Sequence, residues 1–254
     1  MKKDARPFIV AANWKMHKSP REAGEFLKSF VAQTNKRSLG GDCEVVFFVP
    51  AIDLMVAAES LRDSQVKWGA QNCYFEMKGA FTGETSPAVL SEIGAHYSLV
   101  GHSERRAIFH ESDAETGKKV KALQGVGIVP MLCVGETLAE REAGRTNEVI
   151  LRQLRAGLEH RDTNKNVVIA YEPVWAIGTG KVATPQQAND AHVALRQGLK
   201  DLGGDGFSRV TPILYGGSVK PENAAELGAQ SEIDGFLVGG ASLEIATFLP
   251  LIPG

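Results

Sequence analysis

Phe8-Ile9-Val10-Ala11-Ala12, followed directly by Asn13-Trp14-Lys15, is the stretch that decides the fold. A continuous apolar run of this kind suits a parallel strand covered on both sides, not a half-solvated strand with alternating pattern. An open, doubly wound sheet would carry a glycine fingerprint immediately after such a first strand. Asn13-Trp14-Lys15 stands there instead, so the run reads as the first strand of a closed barrel.

Similar runs recur at Glu44 to Val49, Val66 to Ala70, Tyr97 to Val100, Ile128 to Val134, Val167 to Tyr171, Thr211 to Tyr215 and Gly235 to Val238, which makes eight strand candidates. Between them lie helical segments with clear openings: Ser19-Pro20 before Arg21 to Val31, Ser86-Pro87 before Ala88 to Ile93, and Thr184-Pro185 before Gln186 to Leu199. Ser or Thr at the N-cap with Pro in the first helical position is a favoured helix start. Strand and helix alternating in this way imply right-handed crossovers and a parallel sheet. The expectation is an α/β chain, a (β/α)8 barrel forming a single domain over residues 1–254, a length typical of that architecture.

Composition narrows the function. With 28 basic and 30 acidic residues the net charge is -2, which supplies no broad basic field for nucleic acid or an anionic membrane. No apolar run approaches a membrane span, and Phe8 to Ala12 is too short for a signal core. Cys43, Cys73 and Cys133 form no CxxC pair, which disfavours a disulfide framework or structural zinc. The expectation is a cytoplasmic chain with no metal and no cofactor.

Several motif fragments lead nowhere. Gly125-Val126-Gly127 precedes its strand and Pro130 takes the place of a third glycine, so a dinucleotide loop is disfavoured. Ser218 resembles a nucleophile elbow until Lys220 replaces the closing glycine. His96 and His102 lack an acidic or thiol partner for a metal set.

Barrel chemistry gathers at the carboxyl ends of the strands. Asn13 and Lys15 follow the first strand, His102 the fourth, Glu172 the sixth, Gly216-Gly217-Ser218 the seventh and Gly239-Gly240 the eighth. Together they offer a base, an electrophile, a cation and an anion cradle, the last on a short apolar helix start after Gly239-Gly240. Two other readings stay open on these residues: an aldolase using Lys15 as a Schiff base, and a silent barrel that only binds a phosphorylated ligand.

Seven blocks then carry a resemblance across the chain: AANWKMH at 11–17, GAFTGE at 79–84, VGHSERR at 100–106, LCVGE at 132–136, AYEPVWAIGTGK at 170–181, LYGGSVKPEN at 214–223 and DGFLVGGASL at 234–243. In this order they resemble the triosephosphate isomerase family. The resemblance implies interconversion of dihydroxyacetone phosphate and glyceraldehyde 3-phosphate through an enediolate, without a cofactor, by a homodimer. It implies Glu172 as general base, His102 as neutral electrophile, Lys15 and Asn13 on the developing negative charge, and Glu104 paired with Lys15. It also implies Gly178, Ser218, Gly239 and Gly240 on the phosphate, and a lid of Pro173, Val174, Trp175, Ala176, Ile177, Gly178, Thr179, Gly180 and Lys181 secured by Tyr215 and Ser218. Gln71, Thr82 and Arg105 fall in the dimer-contact and support shell, and the apolar loop Glu76 to Thr85 is expected to enter a neighbouring subunit. Two chemical expectations follow: a dry site raises the basicity of Glu172, and a helix start at Ser103 keeps His102 uncharged.

Overall fold

The computed structural model describes residues 6–35, 43–176 and 183–253. Eight parallel strands close in sequence order: β1 (Phe8–Asn13), β2 (Cys43–Val49), β3 (Lys67–Ala70), β4 (Tyr97–Val100), β5 (Val129–Val134), β6 (Val168–Tyr171), β7 (Ile213–Tyr215) and β8 (Gly235–Val238). β1 closes against β8 with Ile9 opposite Gly235. Gly235 is required there: its φ is +139°, and a Cβ would lie 1.9 Å from the Ile9 carbonyl oxygen. All eight strand candidates are present. Ends differ by a residue or two, most at β7, which starts at Ile213 because Thr211 caps the preceding helix.

Period-two geometry sorts each apolar run into two cores. Ile9, Ala11, Val46, Phe48, Tyr97, Leu99, Met131, Cys133, Val168, Ala170, Leu214 and Leu237 fill the barrel. Val10, Ala12, Phe47, Val100, Leu132, Ile169 and Tyr215 face outward to the helices. This alternation was hidden in the sequence because both faces are apolar. It also sets the site, since Asn13 continues the inward series of β1 and Glu172 that of β6.

Helices surround the strands: α1 (Pro20–Thr34), α2 (Leu54–Ser60), α3 (Pro87–Glu92), α4 (Ser103–Phe109), α5 (Asp113–Gly125), α6 (Leu138–Glu142), α7 (Thr146–Leu158), α8 (Pro185–Val210), α9 (Pro221–Gly228) and α10 (Ile245–Phe248). Ser19, Ser112, Thr137 and Thr184 close capping boxes with Glu22, Glu115, Glu140 and Gln187, each satisfying otherwise orphaned N–H groups. α8 runs past the expected Leu199 and is broken at Gly204, where φ is +78°. Among the described residues, no helix is long and apolar enough to cross a membrane.

Trp14 shows how packing aims chemistry. Its indole is fully buried on the outer side, edge-on to Phe26 at 5.2 Å, and its Nε1–H donates to the Ser242 carbonyl at 3.3 Å. With Trp14 pinned outward, its neighbours Asn13 and Lys15 turn to the mouth. The same bond ties the end of β1 to the turn after β8.

Candidate active site

Lys15 adopts φ +53°, a left-handed conformation that costs a non-glycine residue on the order of 1 kcal/mol. Two side chains hold it: its N–H donates to Asn13 Oδ1 at 3.0 Å, and Gln71 Nε2 donates to its carbonyl at 2.8 Å. Lys15 Nζ reaches Glu104 Oε1 at 2.5 Å. Gln71 therefore supports the Lys15 backbone from within the same chain.

At the end of β4, the Gly101 peptide is gripped from both sides. Its N–H donates to the buried Glu111 carboxylate at 2.9 Å, and its carbonyl accepts from Arg106 Nε at 2.7 Å. The next residue, His102, caps α4: the Glu104 N–H donates to its Nδ1 at 3.3 Å. A ring nitrogen accepting that bond carries no proton, so the uncharged ring has its proton on Nε2. Nε2 faces Glu172 Oε1 at 3.0 Å. Glu172 is 2% exposed, and it also accepts from the Ser103 N–H at 2.9 Å and the Ser103 hydroxyl at 3.3 Å.

In the resting site these contacts work against the pressure of burial at both groups, while the Glu104 N–H on Nδ1 favours the uncharged ring. Burial favours the protonated form of Glu172, but His102, the Ser103 N–H and Lys15 outweigh it, and the carboxyl lies below its ordinary range. Burial likewise disfavours imidazolium at His102, yet the Glu172 carboxylate and Glu104 outweigh burial and Lys15, so the ring lies above its ordinary value. Glu172 resting against the ring is the cause in both cases. Moving that carboxylate away removes the partners and leaves burial to act.

A cavity of about 650 Å³ opens at the carboxyl ends of the strands and gathers Asn13, Lys15, His102, Glu172, Ser218, Gly239 and Gly240. The segment after Gly239 is a 3₁₀ turn, Gly240–Leu243, and not the expected helix start. Four residues have little macrodipole, so anion attraction there rests on local N–H groups. Pro173 and the 3₁₀ turn Val174–Ala176 lead toward Ile177, Gly178, Thr179, Gly180 and Lys181, which lie outside the described residues. Tyr215 is buried behind the mouth, and a Cβ at Gly217 would lie 2.2 Å from its hydroxyl. A second cavity of about 310 Å³ adjoins the first and brings Gln71 and Arg105 beside Lys15. Thr82 sits apart, exposed on its loop.

The family model for triosephosphate isomerase matches residues 8–254. The chain belongs to the triosephosphate isomerase family. It is 55% identical over 240 residues to the triosephosphate isomerase of Bdellovibrio bacteriovorus, covering 94% of this chain and 96% of that one. It is 46% identical over 250 residues to the triosephosphate isomerase of Lactobacillus delbrueckii subsp. bulgaricus, covering 98% of each.

In this member of the triosephosphate isomerase family, three polar residues near the site escaped sequence reasoning. Ser103 holds Glu172, although only its place as a helix start marked it out. Glu111 accepts from Gly101, Arg105 Nε at 2.8 Å and Lys119 Nζ at 3.0 Å. Glu136 is fully buried at the end of β5 and accepts from Tyr171, Trp175 and Arg141. Both Ser103 and Glu136 stood inside recognised blocks, but their partners are distant in sequence. The spacing alone could not give them a task.

Proposed function

We propose that Glu172 is the base of this isomerase and that His102, Lys15 and Asn13 receive the charge it creates. The reaction interconverts dihydroxyacetone phosphate and glyceraldehyde 3-phosphate, the activity of the family. The carboxylate removes a proton from one carbon of the bound triose phosphate. The C–H electron pair becomes the enediolate double bond while the carbonyl π pair moves to oxygen, which takes the His102 Nε2 proton. The ring regains a proton from the neighbouring hydroxyl, whose O–H pair becomes the new carbonyl as the double-bond pair takes a proton from the Glu172 carboxyl at the adjacent carbon. The His102 Nε2–H is positioned to donate to that oxygen, and the Lys15 ammonium to offset its charge. Backbone N–H groups at Gly239 and Gly240, with Ser218, take the phosphate, and Gly178 and the lid Pro173 to Lys181 cover it. Closure matters because an enediolate phosphate open to water expels its phosphate.

The single observation that carries this reading is Glu172 held by Ser103 and His102 on the wall of a cavity that also contains Lys15. A carboxylate resting on donors that it can leave is charged and available. The test is isomerisation of dihydroxyacetone phosphate by the purified chain in a coupled assay with no cofactor given to the isomerase. Formation of glyceraldehyde 3-phosphate supports the reading, and an inactive folded chain overturns it.

The chain acts as a homodimer in this proposal. Met16 is 95% exposed at the rim of the cavity containing Gln71 and Arg105, and Met77 and Phe81 are exposed on the loop carrying Thr82. Apolar groups so placed fit a partner loop entering that cavity. Sedimentation at micromolar concentration should give a species of twice 27.3 kDa, and a 27.3 kDa species alone would contradict the dimer.

A further inference from the structure

Past Val134, the last residue of β5, the Gly135 backbone lies close against β6. A Cβ on Gly135 would fall 1.8 Å from the Glu172 carbonyl oxygen, so residue 135 and residue 172 touch through main chain alone. Backbone bonds run on either side of this contact: the Glu172 N–H donates to the Val134 carbonyl at 2.8 Å, and the Val174 N–H to the Glu136 carbonyl at 3.1 Å. The segment 134–136 is thus the splint on which Glu172 and the start of the lid rest.

Gly135 itself is held by a side chain. Gln153, on α7 and buried, accepts the Gly135 N–H on Oε1 at 2.7 Å and donates Nε2–H to the Gly135 carbonyl at 3.2 Å. One planar amide satisfies both polar groups of one residue, the pattern that a neighbouring strand would supply. Glycine has the widest backbone freedom of any residue, so both peptides flanking Gly135 could rotate without this clamp. Any rotation would move the surface against which the Glu172 backbone is packed.

We propose that Gln153 is a positioning residue for proton transfer, setting through Gly135 the height of Glu172 over the substrate carbons. Gln153 lies outside the cavity and touches no reacting atom. The inference rests on Glu172 being the base. A displacement of about 1 Å at a reacting group costs on the order of 10²-fold, so a partial loosening should cost about 10-fold in kcat. In the proposed function the phosphate is held mainly at the ends of β7 and β8, which Gln153 does not touch, and Gln153 reaches the lid only by way of the Val174 N–H on the Glu136 carbonyl, so KM should change less than kcat.

Gln153→Met keeps length and apolar volume and removes both bonds; Gln153→Glu keeps the acceptor and regains a donor only when protonated. Both are measured for kcat, KM and thermal midpoint, alone and with Glu172→Asp, which shortens the carboxylate. The inference expects kcat to fall about 10-fold in Gln153→Met with a smaller change in KM, and to fall less when Glu172→Asp has already displaced the base. It expects the activity of Gln153→Glu, as a ratio to the native chain at each pH, to rise as pH falls. Native kcat in Gln153→Met, or an equal fold-loss in both backgrounds, overturns it. Should Gln153→Met fail to fold, the ratio profile of Gln153→Glu decides, and a flat profile overturns the inference. Failure of the underlying reading is separate, since it would appear as full turnover in Glu172→Gln with Gln153 intact.

Discussion

Glu136 and Glu172 are both buried carboxylates at the ends of adjacent strands, β5 and β6, yet their surroundings differ in kind. Glu136 is enclosed: Tyr171 donates to both its oxygens at 3.1 Å, Trp175 Nε1 at 2.9 Å and Arg141 at 3.2 Å, and it lines neither cavity at the mouth. Glu172 is held by Ser103 and His102 on one side and meets the 650 Å³ cavity on the other. Burial alone does not separate a structural carboxylate from a reactive one. Under the proposed function, the open space beside Glu172 is what separates them.

Replacing each in turn should separate the two roles. Glu172→Gln is expected to lower turnover about 10²- to 10⁴-fold, roughly 3 to 5 kcal/mol of barrier, while the fold persists. Steady-state kinetics with circular dichroism check this, and near-normal turnover would remove Glu172 as base. Glu136→Ala should instead cost about 2 kcal/mol of stability, because the buried Tyr171 hydroxyl loses its acceptor and Arg141 its counter-charge. Urea unfolding measures it. An unchanged midpoint would mean that Glu136 contributes no more than a surface acid.

A smaller effect lies in pH, since burial opposes the ion pair at both partners. Glu172 is depressed from 4.5, so its contribution to stability is present above that pH and is lost as pH falls through the folded value. His102 is raised from 6.5, so its contribution is present below that pH and is lost as pH rises through the folded value. The stability gap between the native chain and Glu172→Gln should therefore be widest from about pH 4.5 to 6.5 and narrow on both sides. In an NMR titration, His102 should have a lower midpoint in Glu172→Gln than in the native unliganded chain. Equal midpoints would contradict the contact that distinguishes Glu172 from Glu136.

Much of this arrangement was legible in the sequence, for identifiable reasons. Strands covered on both faces leave unbroken apolar runs, and Ser19, Ser86 and Thr184 mark helix starts locally. Asn13, Lys15, His102 and Glu172 stand directly after such runs, so a strand-end rule finds them. Gln153 and Glu136 were not legible, because a polar residue in a helix or loop reads as solvated until its partner is known. Gln153 meets Gly135 across 18 positions, and Glu136 meets Trp175 across 39. The protonation balance was legible only in part: the pressure of burial could be inferred, whereas the Glu172–His102 contact that opposes it exists only in the folded chain.

The central claim is that Glu172 leaves Ser103 and His102 to carry a proton between adjacent carbons. Hydrogen exchange during turnover tests it most directly. Dihydroxyacetone phosphate incubated in D₂O with the native chain, and separately with Glu172→Gln, is followed by proton NMR for product formation and for deuterium at the carbon that loses its proton. The account predicts isomerisation by the native chain, with deuterium entering that carbon to the extent that the Glu172 carboxyl exchanges with solvent before it returns a proton, and loss of both together in Glu172→Gln. Exchange at the native rate in the variant would show that another group removes the proton and would contradict the account.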